Sequence, residues 1–385
     1  MKTIFRKDDE PILDYTDDDG TLVEPVAYYP ILPMLLVNGS VGIGTGFSTD
    51  ILPHNPVDLV AGIRALLSGE VKSLDGWTWK PWWLGFRGDV RVPTGTDKKG
   101  WMTSGMFEFL SDEKRQIRIK ELPVGTWTRD YKEFLDLVAS GEVPGFDEQG
   151  GKLTLKNYEE AYNDVDVDFI LTLSDEAYWN AKTYPTEFMT KFKLNTTFRL
   201  TNMVAFDSAG KIRRYSSVGE ILEEFVSARL SAYDRRKTYK LSALKAALIE
   251  LKAKHTFISA IVNGSLKISN VDDAILLASL KALDLPPLSL ATQTVETATL
   301  DGYEYLLRMR IDRLKASAIL TLDKEIKGVE DEISELDATT IQNLWLKDLD
   351  DFMTAWSAYE IRRQEINTPA EGVKPPKKKV VKKKV

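Results

Sequence analysis

At 385 residues the chain exceeds the roughly 150 residues of an ordinary domain, so two or three cores are expected. With 43% apolar, 28% charged and 10% aromatic residues it can bury enough surface to offset the entropy of ordering, which excludes wholesale disorder. Cysteine is absent and His54 and His255 are the only histidines, so disulfides and thiolate metal sites are excluded and an HExxH zinc enzyme is disfavoured.

The N-terminus, Met-Lys-Thr-Ile-Phe-Arg-Lys-Asp-Asp, has no signal-peptide core, and no apolar run approaches a membrane span. A soluble, cytoplasmic protein with no membrane partner is the expectation. Net charge is uneven: without the seven lysines in Lys374–Val385 it goes from −7 to −14. An acidic body with a basic tail suggests an electrostatic arm for nucleic acid or another polyanion, or else a solubilising tail. Residues 367–385 are expected to be disordered.

In chain order, the first two dozen residues carry Asp8, Asp9, Glu10 and Asp14, then Asp17–Asp19 before Gly20. They read as an exposed, solvated loop; adjacent carboxylates cannot all converge on one metal ion. An apolar run, Ile31-Leu-Pro-Met-Leu-Leu-Val37, leads into Asn38-Gly39-Ser-Val-Gly42-Ile43-Gly44-Thr45-Gly46, where the glycine density calls for unusual backbone angles or close approach to something. Pro56–Leu67 has the pattern of an amphipathic helix, with Pro56 in its first turn and Leu59, Val60, Ile63, Leu66 and Leu67 on one face.

Residues 71–215 read as a mixed, strand-rich domain. Tryptophans at 77, 79, 82, 83 and 101 suit core and edge packing better than base stacking, since basic residues do not interleave them; Gln116-Ile-Arg-Ile-Lys120 alternates like a strand. Beyond residue 216 the pattern turns helical. Leu241, Leu244, Leu248, Leu251, His255 and Ile258 step by three and four, as do Ile319, Leu322, Ile326, Val329, Ile333 and Leu336. A long helix out, a small tip near residues 259–313 and a long helix back are expected over residues 216–366.

The glycine segment is not a known nucleotide loop. Its spacing is G-x-G-x-G rather than the dinucleotide G-x-G-x-x-G, and no Gly-Lys-Ser/Thr follows. A structural glycine turn remains, with Ile43 reading as core.

Glu24-Pro25, Tyr29-Pro-Ile-Leu-Pro-Met-Leu-Leu-Val-Asn-Gly39 and Gly42-Ile-Gly-Thr-Gly46 together resemble a segment of the type IIA DNA topoisomerases. Further matches follow in family order: Phe86-Arg-Gly88, Ile119-Lys-Glu-Leu-Pro123, Trp127-Thr128, Tyr131, Asn202-Met203, Phe206, Gly210 and Tyr215. Phe225, Arg229-Leu230, Tyr233 and Arg236-Lys237 resemble the start of the family's long C-gate helix; Leu344-Trp345, Asp348-Leu349 and Phe352 resemble its return. The likeness is nearest the eukaryotic and T-even-phage branch. Ile51-Leu-Pro-His54 is similar to phage proteins, while Met309-Arg-Ile-Asp-Arg-Leu314 stands nearer a bacterial form.

The resemblance implies an α+β multidomain chain. Its expected parts are a remnant of the winged-helix DNA-gate domain with a wedge loop (1–70), a tower domain (71–215), and a coiled coil with a small helical C-gate tip (216–366). It implies part of the DNA-breakage and reunion subunit, in which paired tyrosines cut both strands and a second duplex passes through to the C-gate. Ile43 matches an isoleucine that wedges between base steps and bends the cut DNA; Asn38, Gly39, Gly42, Gly44, Thr45 and Gly46 flank it. Lys377, Lys378, Lys379, Lys382, Lys383 and Lys384 are the candidate DNA-binding tail.

The family's Arg-Tyr pair lies upstream of the Lys-Asp-Asp that Lys7-Asp8-Asp9 resembles, so no catalytic residue is expected within this chain. The expected partners are double-stranded DNA, a second copy through the C-gate, a tyrosine-bearing N-terminal segment and an ATPase and metal-binding subunit. Mg2+ and ATP are expected on those other parts. A non-catalytic, dimerising DNA scaffold derived from such an enzyme is the alternative.

Overall fold

The computed structural model describes residues 2–93, 100–147, 154–163, 165–288, 299–310, 315–367 and 379–381. A 3-10 helix (Lys7–Ile12) precedes the hairpin of β1 (Tyr15–Asp18) and β2 (Thr21–Pro25); α1 (Met34–Asn38) leads into the hairpin of β3 (Ser40–Ile43) and β4 (Ser48–Ile51), then α2 (Pro56–Leu67). There follow β5 (Asp89–Arg91), β6 (Trp101–Ser104), β7 (Met106–Ser111), β8 (Gln116–Glu121), α3 (Thr128–Ser140), β9 (Leu155–Glu160), β10 (Phe169–Leu173), α4 (Asp175–Thr183), α5 (Pro185–Lys191), β11 (Asn195–Phe198), β12 (Met203–Phe206) and β13 (Ile212–Tyr215). The remainder is helical: α6 (Val218–Val262), α7 (Asp273–Ala282), α8 (Glu304–Leu307), α9 (Ala316–Ala338) and α10 (Ile341–Asn367), with a last strand, β14 (Lys379–Val381).

The chain divides into two compact units, one of Met1–Ile31 with Ala228–Asp350, the other of Leu32–Ser227 with Asp351–Val385. The first 31 residues therefore group with the C-terminal helices rather than with the glycine segment that follows them in sequence.

The unit formed by Leu32–Ser227 and Asp351–Val385 holds an antiparallel sheet in the order β14-β9-β10-β8-β7 and a three-stranded one in the order β11-β6-β5. The alternation in β8 does what its pattern predicts: Ile117 and Ile119 are fully buried while Arg118 and Lys120 are partly exposed. They join Phe169, Leu171 and Leu173 of β10 and the Tyr131, Phe134, Leu135 and Val138 face of α3 in one core. The helix α2 begins where Asn55 accepts the Val57 N–H at 2.9 Å with Pro56 in the first turn, and Leu59, Val60, Ile63 and Leu67 are buried.

The tryptophans between residues 77 and 101 are packing residues. Trp79 and Trp101 are buried, Trp77 stacks on Trp79 at 5.7 Å, and Trp82 meets Trp356 edge-on at 6.2 Å. Of the basic tail, expected to be disordered, the described residues Lys379–Val381 pair antiparallel with Tyr158–Glu160 of β9. An open sheet edge offers unpaired N–H and C=O groups to any extended segment that reaches it. Lys377, Lys378, Lys382, Lys383 and Lys384 lie outside the described residues, as do residues 311–314 of the bacterial-like stretch.

In the other unit, α6 and α9 form the expected antiparallel pair. Lys237 Nζ bonds the Asp337 and Thr339 carbonyls at 2.9 and 2.8 Å, while farther along α6 Lys252 meets Glu330 at 2.6 Å and His255 meets Asp323 at 3.1 Å. Leu322, Ile326, Val329, Ile333 and Leu336 are half-buried between exposed neighbours, as a two-helix seam requires. Phe257, Ile258, Leu276, Leu280, Leu285, Tyr303 and Leu306 close the small tip around one core.

The acidic N-terminus corrects the expectation of a solvated loop. Asp9 is 3% exposed and its carboxylate receives Arg229 at 2.7 Å; Asp8 pairs with Arg236 at 2.9 Å and Lys240 at 2.8 Å. Burial opposes ionisation of Asp8, but the Lys240 hydrogen bond and the Arg236 charge hold its carboxyl below the usual value. Asp348 of α10 completes the cluster, bonded to Arg236 at 2.7 Å, to the Tyr233 hydroxyl at 2.8 Å and to Arg6 at 3.0 Å. Tyr233 in turn stacks on Trp345 at 5.4 Å, and the indole N–H of Trp345 donates to the Ile31 carbonyl at 3.1 Å. Asp17, Asp18 and Asp19 remain exposed in the β1–β2 hairpin, in accord with the sequence expectation.

Candidate nucleic-acid interface

The glycine segment folds as a projecting two-stranded hairpin. Its ladder pairs Ser40 with Ile51, Val41 with Asp50, Gly42 with Thr49 and Ile43 with Ser48, and the Gly44 N–H closes the tip on the Phe47 carbonyl at 2.7 Å. Gly46 has φ +80°, which glycine adopts without steric cost. At the base, Gly39 has φ +71° and a Cβ there would lie 2.7 Å from the Ile51 carbonyl oxygen, so the chain can turn from α1 into β3 only with glycine.

The tip is apolar and solvent-facing. Ile43 is 93% exposed, Val41 81% and Phe47 57%. From Asn38 to Thr49 the segment carries no charge, and Asp50, at the base, is its first carboxylate. Burial raises the Asp50 carboxyl above its ordinary value. The reading of Ile43 as core, which its residue type alone suggests, is overturned. A strand end that faces outward has nothing to pack on within its own hairpin.

Gly42, Ile43, Gly44, Thr45 and Gly46 are thus brought together at the tip. Asn38 and Gly39 are not: four residues of strand, about 13 Å of rise, separate them from Ile43. They form the base, from which the His54 N–H donates to the Leu36 carbonyl at 2.8 Å and the Trp82 N–H to the Pro53 carbonyl at 2.9 Å. His54 is 1% exposed and neither ring nitrogen finds a well-formed hydrogen bond. Burial pulls its imidazole down to about 4; the nearby carbonyls of Leu52, Leu36 and Trp79 work the other way and are outweighed.

Beside the hairpin an open groove of about 550 Å³ runs between Ile43, Phe47 and Thr49 on one side and Val204, Phe206 and Ile212 of the β12–β13 hairpin on the other. Phe206 is 70% and Ile212 48% exposed, so the apolar surface continues across it. Phe47 and Ile212 are site residues that motif reading does not single out, and Phe206 is among the family matches but without an assigned role. The turn sequence Asp207-Ser-Ala-Gly210, set between the two short runs Met203–Phe206 and Ile212–Tyr215, is the local signal for a hairpin there.

Among the described residues no group of three or more histidine or acidic side chains is placed to hold a metal ion, and no helix is long and apolar enough to cross a membrane.

The family model for the A-type subunit of DNA gyrase/topoisomerase IV matches residues 1–350. The chain belongs to this family. It is 32% identical over 388 residues to DNA topoisomerase 2 of Penicillium chrysogenum, covering 94% of the chain and 23% of that protein. DNA topoisomerase 2 of Saccharomyces cerevisiae is 32% identical over 414 residues, covering 97% of the chain and 28% of the relative. The chain therefore spans about a quarter of the length of these relatives. In structure it is similar to the topoisomerase II DNA-binding, cleavage and re-ligation domain of Plasmodium falciparum, with a TM-score of 0.81 at 29% identity over 96% of this chain and 50% of that one. These topoisomerase relatives are eukaryotic, and the phage or viral source suggested by Ile51-Leu-Pro-His54 is not supported by them.

Proposed function

We propose that this chain forms part of the DNA-breakage and reunion subunit of an ATP-dependent type IIA topoisomerase, where it binds and bends the duplex to be cut. The observation that carries this reading is the 93% exposure of Ile43 at the uncharged tip of its hairpin. A side chain of that kind is suited to unstacking a base step, which costs only a few kcal/mol and lets the bent duplex cover more protein. The protein places nothing within 4 Å of a Cβ built on Gly42 or Gly46, so these glycines keep clear a space that its own packing does not use. Double-stranded DNA is the partner this fits, and the uncharged tip reads the stack while positive charge elsewhere meets phosphates.

The α6–α9 pair and its tip supply the C-terminal dimer contact of the gate. Strand cleavage is assigned to a tyrosine-bearing segment, and Mg2+ and ATP to other parts of the complex; Asp8 and Asp9 of this chain are engaged in ion pairs with Arg229, Arg236 and Lys240.

With Ile43→Ala the bend in a bound duplex, read by energy transfer between its ends, is expected to fall sharply. Stability should change by less than about 0.5 kcal/mol, as for surface substitutions in general. Unaltered bending would remove the basis for this reading. The lysine tail makes a second expectation: deleting residues 374–385 should flatten the dependence of log affinity on log salt by about 0.9 for each phosphate no longer neutralised. An unchanged slope makes the tail a solubiliser.

A further inference from the structure

A projecting two-stranded hairpin is marginal by itself, and a wedge at its tip can unstack bases only if the base of the hairpin does not yield. Asn202 is placed to resist that yielding. Its backbone carbonyl accepts the Asp50 N–H at 2.9 Å and its side-chain Nδ2 donates to Ser48 Oγ at 2.7 Å. Ser48 is the ladder partner of Ile43, so the side-chain bond grips the residue directly across from the wedge.

The anchor is itself fixed. Asn202 immediately precedes β12, and the β12–β13 hairpin is tied to the start of α6 through one carboxylate: Glu224 accepts the Ser208 N–H at 2.8 Å, Arg213 at 2.8 Å and the Tyr215 hydroxyl at 3.1 Å. Arg213 also pairs with Glu220, one turn earlier on the same helix. The wedge hairpin is thus joined through Asn202 to a second hairpin that is locked onto a long helix.

We infer that Asn202 is a positioning residue for the wedge: by holding Ser48 and Asp50 it sets the angle at which Ile43 meets the duplex. This rests on the DNA-bending reading above.

The test compares the full chain with Ile43→Ala, Asn202→Ala, Ser48→Ala and the Asn202→Ala/Ser48→Ala double variant, reading duplex bending, affinity and melting temperature for each. Ser48→Ala alters an exposed side chain and Asn202→Ala leaves the main-chain bond to Asp50, so the fold is kept. Asn202→Ala and Ser48→Ala are each expected to lower the ratio of bent to unbent duplex by about fivefold, the equivalent of one net hydrogen bond, with melting lowered by no more than about 4 °C. The double variant should be no worse than either single one, because both remove the same bond. If Ile43→Ala abolishes bending while Asn202→Ala and Ser48→Ala bend normally, or if their losses simply add, the positioning role is overturned and the DNA reading stands. If the wild-type chain does not bend DNA, or Ile43→Ala bends it equally, the DNA reading is overturned and the positioning role with it.

Discussion

Asp348→Ala is expected to destabilise the unit of Met1–Ile31 and Ala228–Asp350 by about 3–5 kcal/mol, the usual cost of removing one partner from a buried ion pair. Asp348 is 3% exposed and Arg236 5%, and the Asp348 carboxylate is the acceptor for Arg236, Tyr233 and Arg6 together. Truncation leaves the Arg236 guanidinium in a buried site with Asp8 at 2.9 Å and Asp9 at 3.9 Å, and it leaves the Tyr233 hydroxyl without an acceptor. Tyr233 cannot ionise to compensate, since burial pushes its phenol well up. The control is Glu330→Ala, which breaks the exposed Lys252 pair across the coiled coil and should cost less than about 1 kcal/mol. Urea unfolding of the three proteins decides it. Equal losses for the two variants would mean that the buried cluster is no more than a surface network.

That cluster also shows where sequence reading stops. The coiled coil is legible because its information is local: Leu322, Ile326, Val329, Ile333 and Leu336 repeat at heptad spacing and are half-buried. The alternation of Ile117 and Ile119 and the Asn55-Pro56 helix start are local for the same reason. Nothing local separates Asp9, which meets Arg229 across 220 positions, from Asp18, which faces solvent in the same acidic run. Ile43 is the opposite case, an apolar residue that composition assigns to a core and that only likeness to a family places outside. Asn202 matches a family motif, but its bond to Ser48 appears only when two hairpins lie side by side. The short strand at Lys379–Val381 is hidden by the charge of its neighbours, because ladder bonds depend on an available edge rather than on composition.

His54 makes the unit of Leu32–Ser227 and Asp351–Val385 sensitive to acid. Its imidazole is neutral in the fold, where burial brings it to about 4, against the ordinary value of 6.5 in the unfolded chain. Unfolding therefore takes up a proton whenever the pH lies between these values. The sign follows from linkage: the contribution is whole above 6.5, shrinks as the pH falls, and is spent below about 4. The full span is about 3 kcal/mol, since each tenfold change in proton affinity is worth about 1.36 kcal/mol. Carboxylates titrate in the same range, so the measurement is a difference: urea unfolding at about pH 7.5 and about pH 4.5 for wild type and for His54→Gln. The variant is expected to be less stable at the higher pH, through lost packing beside Leu36, Leu52 and Trp79, but to lose about 2–3 kcal/mol less than wild type on acidification. Parallel losses in the two proteins would mean that the ring accepts its proton without leaving the fold. The consequence reaches the site, because His54 lies three residues beyond the strand that carries Ser48 and Asp50, and its N–H bond to Leu36 closes the base from which the wedge projects. Acid should loosen that base before it disturbs the α6–α9 coiled coil.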